Sequence, residues 1–299
     1  MKPTDFHPTR HERAGMVRIF LLAVALLLSI TGCSRDAGPP ISARAAFDHE
    51  HALLDAVLQK HVHQGQVDYR ALKRDTATLD RYLETLARIE PTAYAKWTRA
   101  EKLTLWINAY NAYTLRVILD HYPVTRSVFA DPLRRYPASS IRQIPGVWKL
   151  RHWPVAGKTW TLDHMEHVIL RRELVEPRIH FVLVCASTGC PLLENRAFGA
   201  STLEQRLEQA ARNYVQRDGK VQIDRKNQAV RLPQIFSWFA EDFKAIPEFA
   251  GYFSQHPPGV AGVLTWVYRY ASADERDFLK TGAYKTTYLE YDWGLNDGE

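Results

Sequence analysis

Residues 180–193 read HFVLVCASTGCPLL and hold Cys185 and Cys190, two of only three cysteines in the 299-residue chain. A thiolate is a strong nucleophile, and a nearby second thiol can close on it as a disulfide. Gly189 can take a positive φ and fold the chain back, so a Cys185–Cys190 bridge is geometrically open. A bridge across so small a loop would contribute about 2 kcal/mol on the chain-entropy account, little for a domain of this size. A reactive thiol is the other reading. Pro191 suits the first turn of a short helix through Leu193 and Phe198, which would make Cys190 its N-cap. The positive dipole end there lowers a thiol pKa. Cys185 alternates with Phe181 and Leu183 along an expected strand, Ile179 to Cys185, and is expected to be buried. A disulfide, a reactive Cys190 and inert packing all stay open on these grounds.

A nucleophilic thiol needs a base within hydrogen-bond reach. Asp163-His164-Met165-Glu166-His167 supplies candidates. His167 is one helical turn from Asp163, which can orient it, although a surface pair would look the same. Glu166 shares a stripe with Leu162, Ile169 and Leu170 and should face inward, where a carboxylate needs a partner or a raised pKa. His180 opens the expected strand that Cys185 closes, about 16 Å away, and so is poorly placed unless the chain doubles back. Asn108 and Asn111 lie three apart on one helical face, where their amides either tie down loop backbone or serve a site. His164, Glu166, His167, Cys185 and Cys190 are metal-ligand types, but neither HExxH nor CxxC spacing is present, so no metal is expected, and no cofactor either. The eight tryptophans are scattered and expected mostly to fill the core.

The elements that must position these residues mix helical and strand periods. Ala46 to His61 reads as a helix, Leu79, Leu83 and Leu86 mark a second, and Arg99 to Tyr122 the longest, stopped by Pro123. Residues 147–160 suit a turn between short strands, and Thr161 to Arg172 a helix with Thr161 as N-cap. Ser201 to Glu204 has capping-box spacing for a helix to about Gln216. Lys220 to Leu232 reads as a hairpin around 224–227, followed by a helix from Pro233 to Phe243, another from Pro258 to Tyr270 and a last strand from Thr286 to Tyr291. The class is α+β: a mostly helical single domain, residues 46–299, around a small mixed or antiparallel sheet.

The N-terminal stretch speaks to location. Residues 16–33 read MVRIFLLAVALLLSITGC, with Arg18 ahead of an apolar run too short to span a bilayer comfortably. Ile30-Thr31-Gly32-Cys33 resembles the lipobox of bacterial lipoproteins. That resemblance implies a signal peptide over residues 1–32, cleavage before Cys33, and an acylated Cys33 holding the protein to a membrane, with 33–45 as anchor and tether. Ser34, rather than Asp, after the cysteine resembles sorting to the outer membrane, facing the periplasm. Met16 is expected to be the true start, since residues 1–15 are unlike a signal. An exported chain can keep disulfides. The formal net charge of +6 is mild and unclustered and gives no reason to expect a nucleic-acid partner.

Three stretches carry a wider resemblance: LWINAYNA at 105–112, TLDHMEHVILR at 161–171 and HFVLVCAS with GCP at 180–191, joined by YDWGLN at 291–296. They look like the motifs of the domain-of-unknown-function 547 family, in consistent order. The match implies importance for Asn108, Asn111, Glu166, His167, His180, Cys185 and Cys190. Some eukaryotic proteins with this domain carry glutaredoxin-like segments, an association that favours thiol chemistry. Two expectations follow. One is a membrane-tethered thiol enzyme (acyl transfer, hydrolysis or disulfide exchange). In it Cys190 is nucleophile, His167 base, Glu166 or Asp163 orienting group, and Asn108 and Asn111 polar contacts. The other is a non-catalytic lipoprotein, with a structural Cys185–Cys190 disulfide, binding a small molecule or protein.

Overall fold

The longest element shows why the chain folds where it does. Helix α3 (Arg99–His121) begins at a complete capping box between Thr98 and Glu101 and stops two residues before Pro123. Both faces of its central turns are buried, so α3 is the axis of the core rather than a surface helix. Before it come α1 (Ala52–His61) and α2 (Ala77–Ala87). The expected start of α1 at Ala46 moves to Ala52, because His51 sits in the left-handed region at φ 53. After α3 come α4 (Leu203–Gln216) and α5 (Pro258–Tyr270). The structure, a computed structural model, describes residues 46–217 and 220–298. The expected signal peptide (1–32) and the anchor and tether (33–45) lie outside them. From Ala46 onward the chain forms one compact unit. Among the described residues no helix is long and apolar enough to cross a membrane.

The strands are short. Trp153–Val155 pairs with Lys158–Trp160 around Ala156 and Gly157, both at positive φ, the signature of a tight hairpin turn. A three-stranded sheet joins β1 (Gln222–Asp224) antiparallel to β2 (Ala229–Leu232), and β2 parallel to β3 (Lys285–Tyr288). The class is therefore α+β with small sheets.

Several expected elements differ further, the last strand among them, which runs Lys285–Tyr288 rather than to Tyr291. The stretch from Ile179 to Cys185 is not a strand: Pro177–Phe181 is a 3-10 turn and the rest is irregular. The main chain there finds a side-chain partner instead of a neighbouring strand, since the Asn111 amide accepts from Val184 N–H and donates to Val182 C=O. No helix follows Pro191. Only Leu162–His164 of the expected 161–172 helix is α, and Met165–Glu173 is a π-helix, closed by the bond from Leu174 N–H to Ile169 C=O. The capping box of α4 does not form, because Glu204 instead accepts from Arg178. The helix after Pro233 ends early, at Trp238.

Candidate active site

The Cys185–Cys190 loop is gripped from three sides. Asn111, on α3, fixes the backbone leading into it. The C-terminal segment straps its outer side: Asn296 N–H donates to Ala186 C=O at 3.1 Å, Thr188 N–H to Gly294 C=O at 2.8 Å and Gly189 N–H to Asp292 C=O at 2.8 Å. The Lys220 ammonium caps the carbonyls of Gly189 (3.0 Å) and Cys190 (3.2 Å). The left-handed turn falls on Ala186, at φ 58, and not on Gly189. Gly189 is needed for another reason: a Cβ there would stand 2.8 Å from the Asp292 carbonyl oxygen.

Within this loop the two free thiols stand with their sulfurs 2.6 Å apart. Their burial reverses the expectation, with Cys190 buried and Cys185 half-buried. The Cys190 sulfur accepts from Cys185 N–H at 3.0 Å and from the Tyr291 hydroxyl at 3.0 Å, and Ser187 Oγ lies 3.5 Å away. Burial works against charge on Cys190. Hydrogen bonds from the Cys185 thiol, Ser187 and Tyr291 outweigh it and bring the thiol from 9.0 down to about 6. Local donors thus do what the missing helix dipole was expected to do. Cys185 moves the other way, well above the ordinary thiol value. Cys185 keeps its proton and donates it in a hydrogen bond to the Cys190 sulfur, and burial and the Cys190 charge add to the effect.

The thiols border a cavity of about 580 Å³. Asp163, Glu166, His167 and His180 line it too, so the structure brings most of the expected site residues together. With no strand at 179–185, the strand spacing that set His180 about 16 Å from Cys185 loses its basis, and His180 lines the same cavity as the thiols. None of the imidazoles is bonded to a sulfur. His167 lies 3.8 Å from Asp163, and its Nδ1 accepts from Arg171 at 3.0 Å, which places the ring proton on Nε2. His180 donates to Asp242 at 2.6 Å and stacks on Phe239. Burial opposes the charge on Asp242, yet bonds from His180 and Arg171 hold its carboxyl down at about 2. Glu166 faces the Tyr110 hydroxyl: burial, then the Glu166 charge, push that phenol well up.

Asn108 does not border the cavity. Both ends of its buried amide pair with the Phe198 backbone, so its expected catalytic contact becomes a structural one. Asn111 likewise positions the loop rather than touching a ligand. His164 packs on Trp160. Among the described residues no cluster of three or more His, Cys, Asp and Glu side chains could hold a metal ion. Trp106 is in the core, but Trp148, Trp238 and Trp293 line the cavity. Sequence reasoning missed Tyr291, Ser187, Arg142, Asp242 and Lys220 as site residues. Tyr291 had a signal, since it opens the C-terminal motif, but its contact with residues a hundred positions earlier left no trace in spacing.

Fold and site together define an α+β domain whose paired thiols border an aromatic cavity strapped by its own C-terminal segment. Residues 94–215 match the model of the family described as "Protein of unknown function, DUF547", which bears out the resemblance read from the motifs over that segment. The match stops before 291–296. No curated protein and no solved structure matches the chain.

Proposed function

We propose that this protein is an exported, lipid-anchored lipoprotein, tethered through Cys33, whose cavity performs thiol–disulfide exchange with Cys190 as attacking thiol and Cys185 as resolving thiol. The observation that supports it is the pair of sulfurs 2.6 Å apart with opposite shifts in acidity. The Cys190 thiolate attacks one sulfur of a substrate disulfide. The Cys190–substrate bond forms, the substrate S–S bond breaks, and one substrate thiolate leaves. Cys190 then carries no charge, so the largest obstacle to ionising Cys185, its hydrogen bond to the Cys190 thiolate, is gone, and the Cys190 charge with it, while burial still opposes ionisation. The Cys185 thiolate attacks the Cys190 sulfur, the Cys185–Cys190 disulfide forms, and the second substrate thiol departs. Two electrons pass to the substrate, and a thiol donor reverses the cycle. Hydrolysis and acyl transfer are less well supported, because every partner of the Cys190 sulfur is a hydrogen-bond donor in this state and none is an imidazole. A purely structural bridge in a binding protein does not account for the raised acidity of Cys190.

The test uses full-length protein in detergent, reduced, then mixed with a small disulfide and trapped with acid. Wild type should lose two thiols to an internal bridge. Cys185→Ser should stop at a mixed disulfide on Cys190, and Cys190→Ser should react at least about a hundredfold more slowly. A Cys190→Ser protein reacting at the wild-type rate would refute the assignment.

A further inference from the structure

The basic side chains of the cavity are answered by carboxylates of the protein itself, with one exception among the described residues. Asp163 lies 3.9 Å from Lys149 and 3.8 Å from His167. Glu166 faces the Tyr110 hydroxyl. His180 has Asp242. Arg142 has no carboxylate partner among the described residues. Its guanidinium donates to the Tyr136 hydroxyl at 2.6 Å and stacks over Tyr136, Trp148 and Trp293, at 4.4, 5.4 and 5.0 Å from their ring centroids. Such stacking holds the planar fork in place while leaving its charge without an anion. A guanidinium so presented is suited to a carboxylate or another oxyanion.

Access narrows the choice further. Cys190 is only 3% exposed, and the wall beside it is the run of rings Trp238, Tyr291 and Trp293, at 4.8 Å and 4.6 Å between neighbouring centroids. A disulfide fixed on the surface of a folded protein does not reach into such a wall. A cavity of about 580 Å³ is of the size that takes a small molecule. We infer that the cavity's substrate is a low-molecular-weight disulfide bearing a carboxylate, with Arg142 holding the carboxylate while the S–S bond meets Cys190. This rests on the dithiol reading above. It adds what the oxidant is: a small anionic molecule, not a protein.

Three small disulfides of similar size separate the possibilities: dithiodipropionate, with two carboxylates; hydroxyethyl disulfide, neutral; and cystamine, with two ammonium groups. Each oxidises the reduced full-length protein in a single turnover, and each rate is divided by that disulfide's rate with free dithiothreitol to remove intrinsic reactivity. The anionic reagent should be favoured over the neutral one by about tenfold or more, with cystamine slowest. Arg142→Gln should bring the anionic-to-neutral ratio to about one, and Arg142→Lys should keep part of it. Equal normalised rates in wild type, or a preference that survives Arg142→Gln, would overturn the substrate class while leaving the dithiol reading standing. If no reagent closes the pair at all, the dithiol reading itself fails and the inference falls with it. Should Arg142→Gln not fold, the wild-type charge series and the Arg142→Lys ratio still decide.

Discussion

Tyr291 sets the chemistry of the thiols more than any histidine does. Its hydroxyl lies 3.0 Å from the Cys190 sulfur, 3.3 Å from that of Cys185 and 3.1 Å from Ser187 Oγ. Burial, then the two sulfur charges, keep its own proton on well above the ordinary phenol range, so it acts as a donor. Removing that donor should cost part of the Cys190 shift. Tyr291→Phe is expected to move the midpoint of Cys190 alkylation from about 6 upward toward 9.0, read as iodoacetamide rate against pH with site assignment by mass spectrometry. An unmoved midpoint would exclude Tyr291 from this role. The same shift has a consequence for stability. Folded Cys190 gives up its proton more readily than unfolded Cys190, so its contribution is fully present above about pH 9 and is lost as pH falls through about 6. The reduced protein should resist urea better at pH 9 than at pH 6, and Cys190→Ser should remove that slope.

At the scale of elements, α3 shows what the sequence made legible and what it hid. Its end was readable because Pro123 is a local signal, and the Thr98–Glu101 capping box that fixes its start came to light only in the structure. The inward pair Asn108 and Asn111 was also readable, but its role was not. What each amide holds lies 90 and 71 positions away, at Phe198 and Val182. The stretch 179–185 has strand composition, and a tertiary partner overrode it: Asn111 takes up the main-chain groups a neighbouring strand would have used. The π-helix escaped for a similar reason, since its widened turn is set by packing and not by composition. Either asparagine, replaced by alanine, leaves a buried N–H and C=O unpaired, so Asn108→Ala and Asn111→Ala should each cost about 2–4 kcal/mol in urea unfolding. They should differ in the site. Asn111 anchors the backbone entering Cys185, so its loss should also raise the Cys190 alkylation midpoint, whereas Asn108→Ala should leave it in place. Equal effects on the midpoint would mean that general loosening is being measured.

On the scale of the whole molecule, the cavity is a property of the entire domain. Tyr110, Arg142, Glu166, His167, His180 and both cysteines fall inside the matched segment 94–215, while Trp238, Phe239, Tyr291 and Trp293 come from beyond it. A fragment limited to the matched segment would keep the thiols and lose the aromatic wall and the strap. The thiol chemistry is also tied to location, because a dithiol that cycles with small disulfides needs a compartment where such disulfides persist. That links the proposed dithiol chemistry to the proposed signal peptide and lipid anchor at Cys33, at the opposite end of the chain. One acyl chain binds a membrane only marginally, and stable anchoring takes more than one, as the lipobox resemblance implies for Cys33. Expressed in a bacterium with labelled palmitate, the full-length protein should carry label and pellet with membranes. Cys33→Ser should lose both label and pelleting while keeping the rate at which Cys190 reacts. Labelled Cys33→Ser protein, or wild type left unlabelled in the cytosol, would sink the lipoprotein assignment without touching the dithiol chemistry.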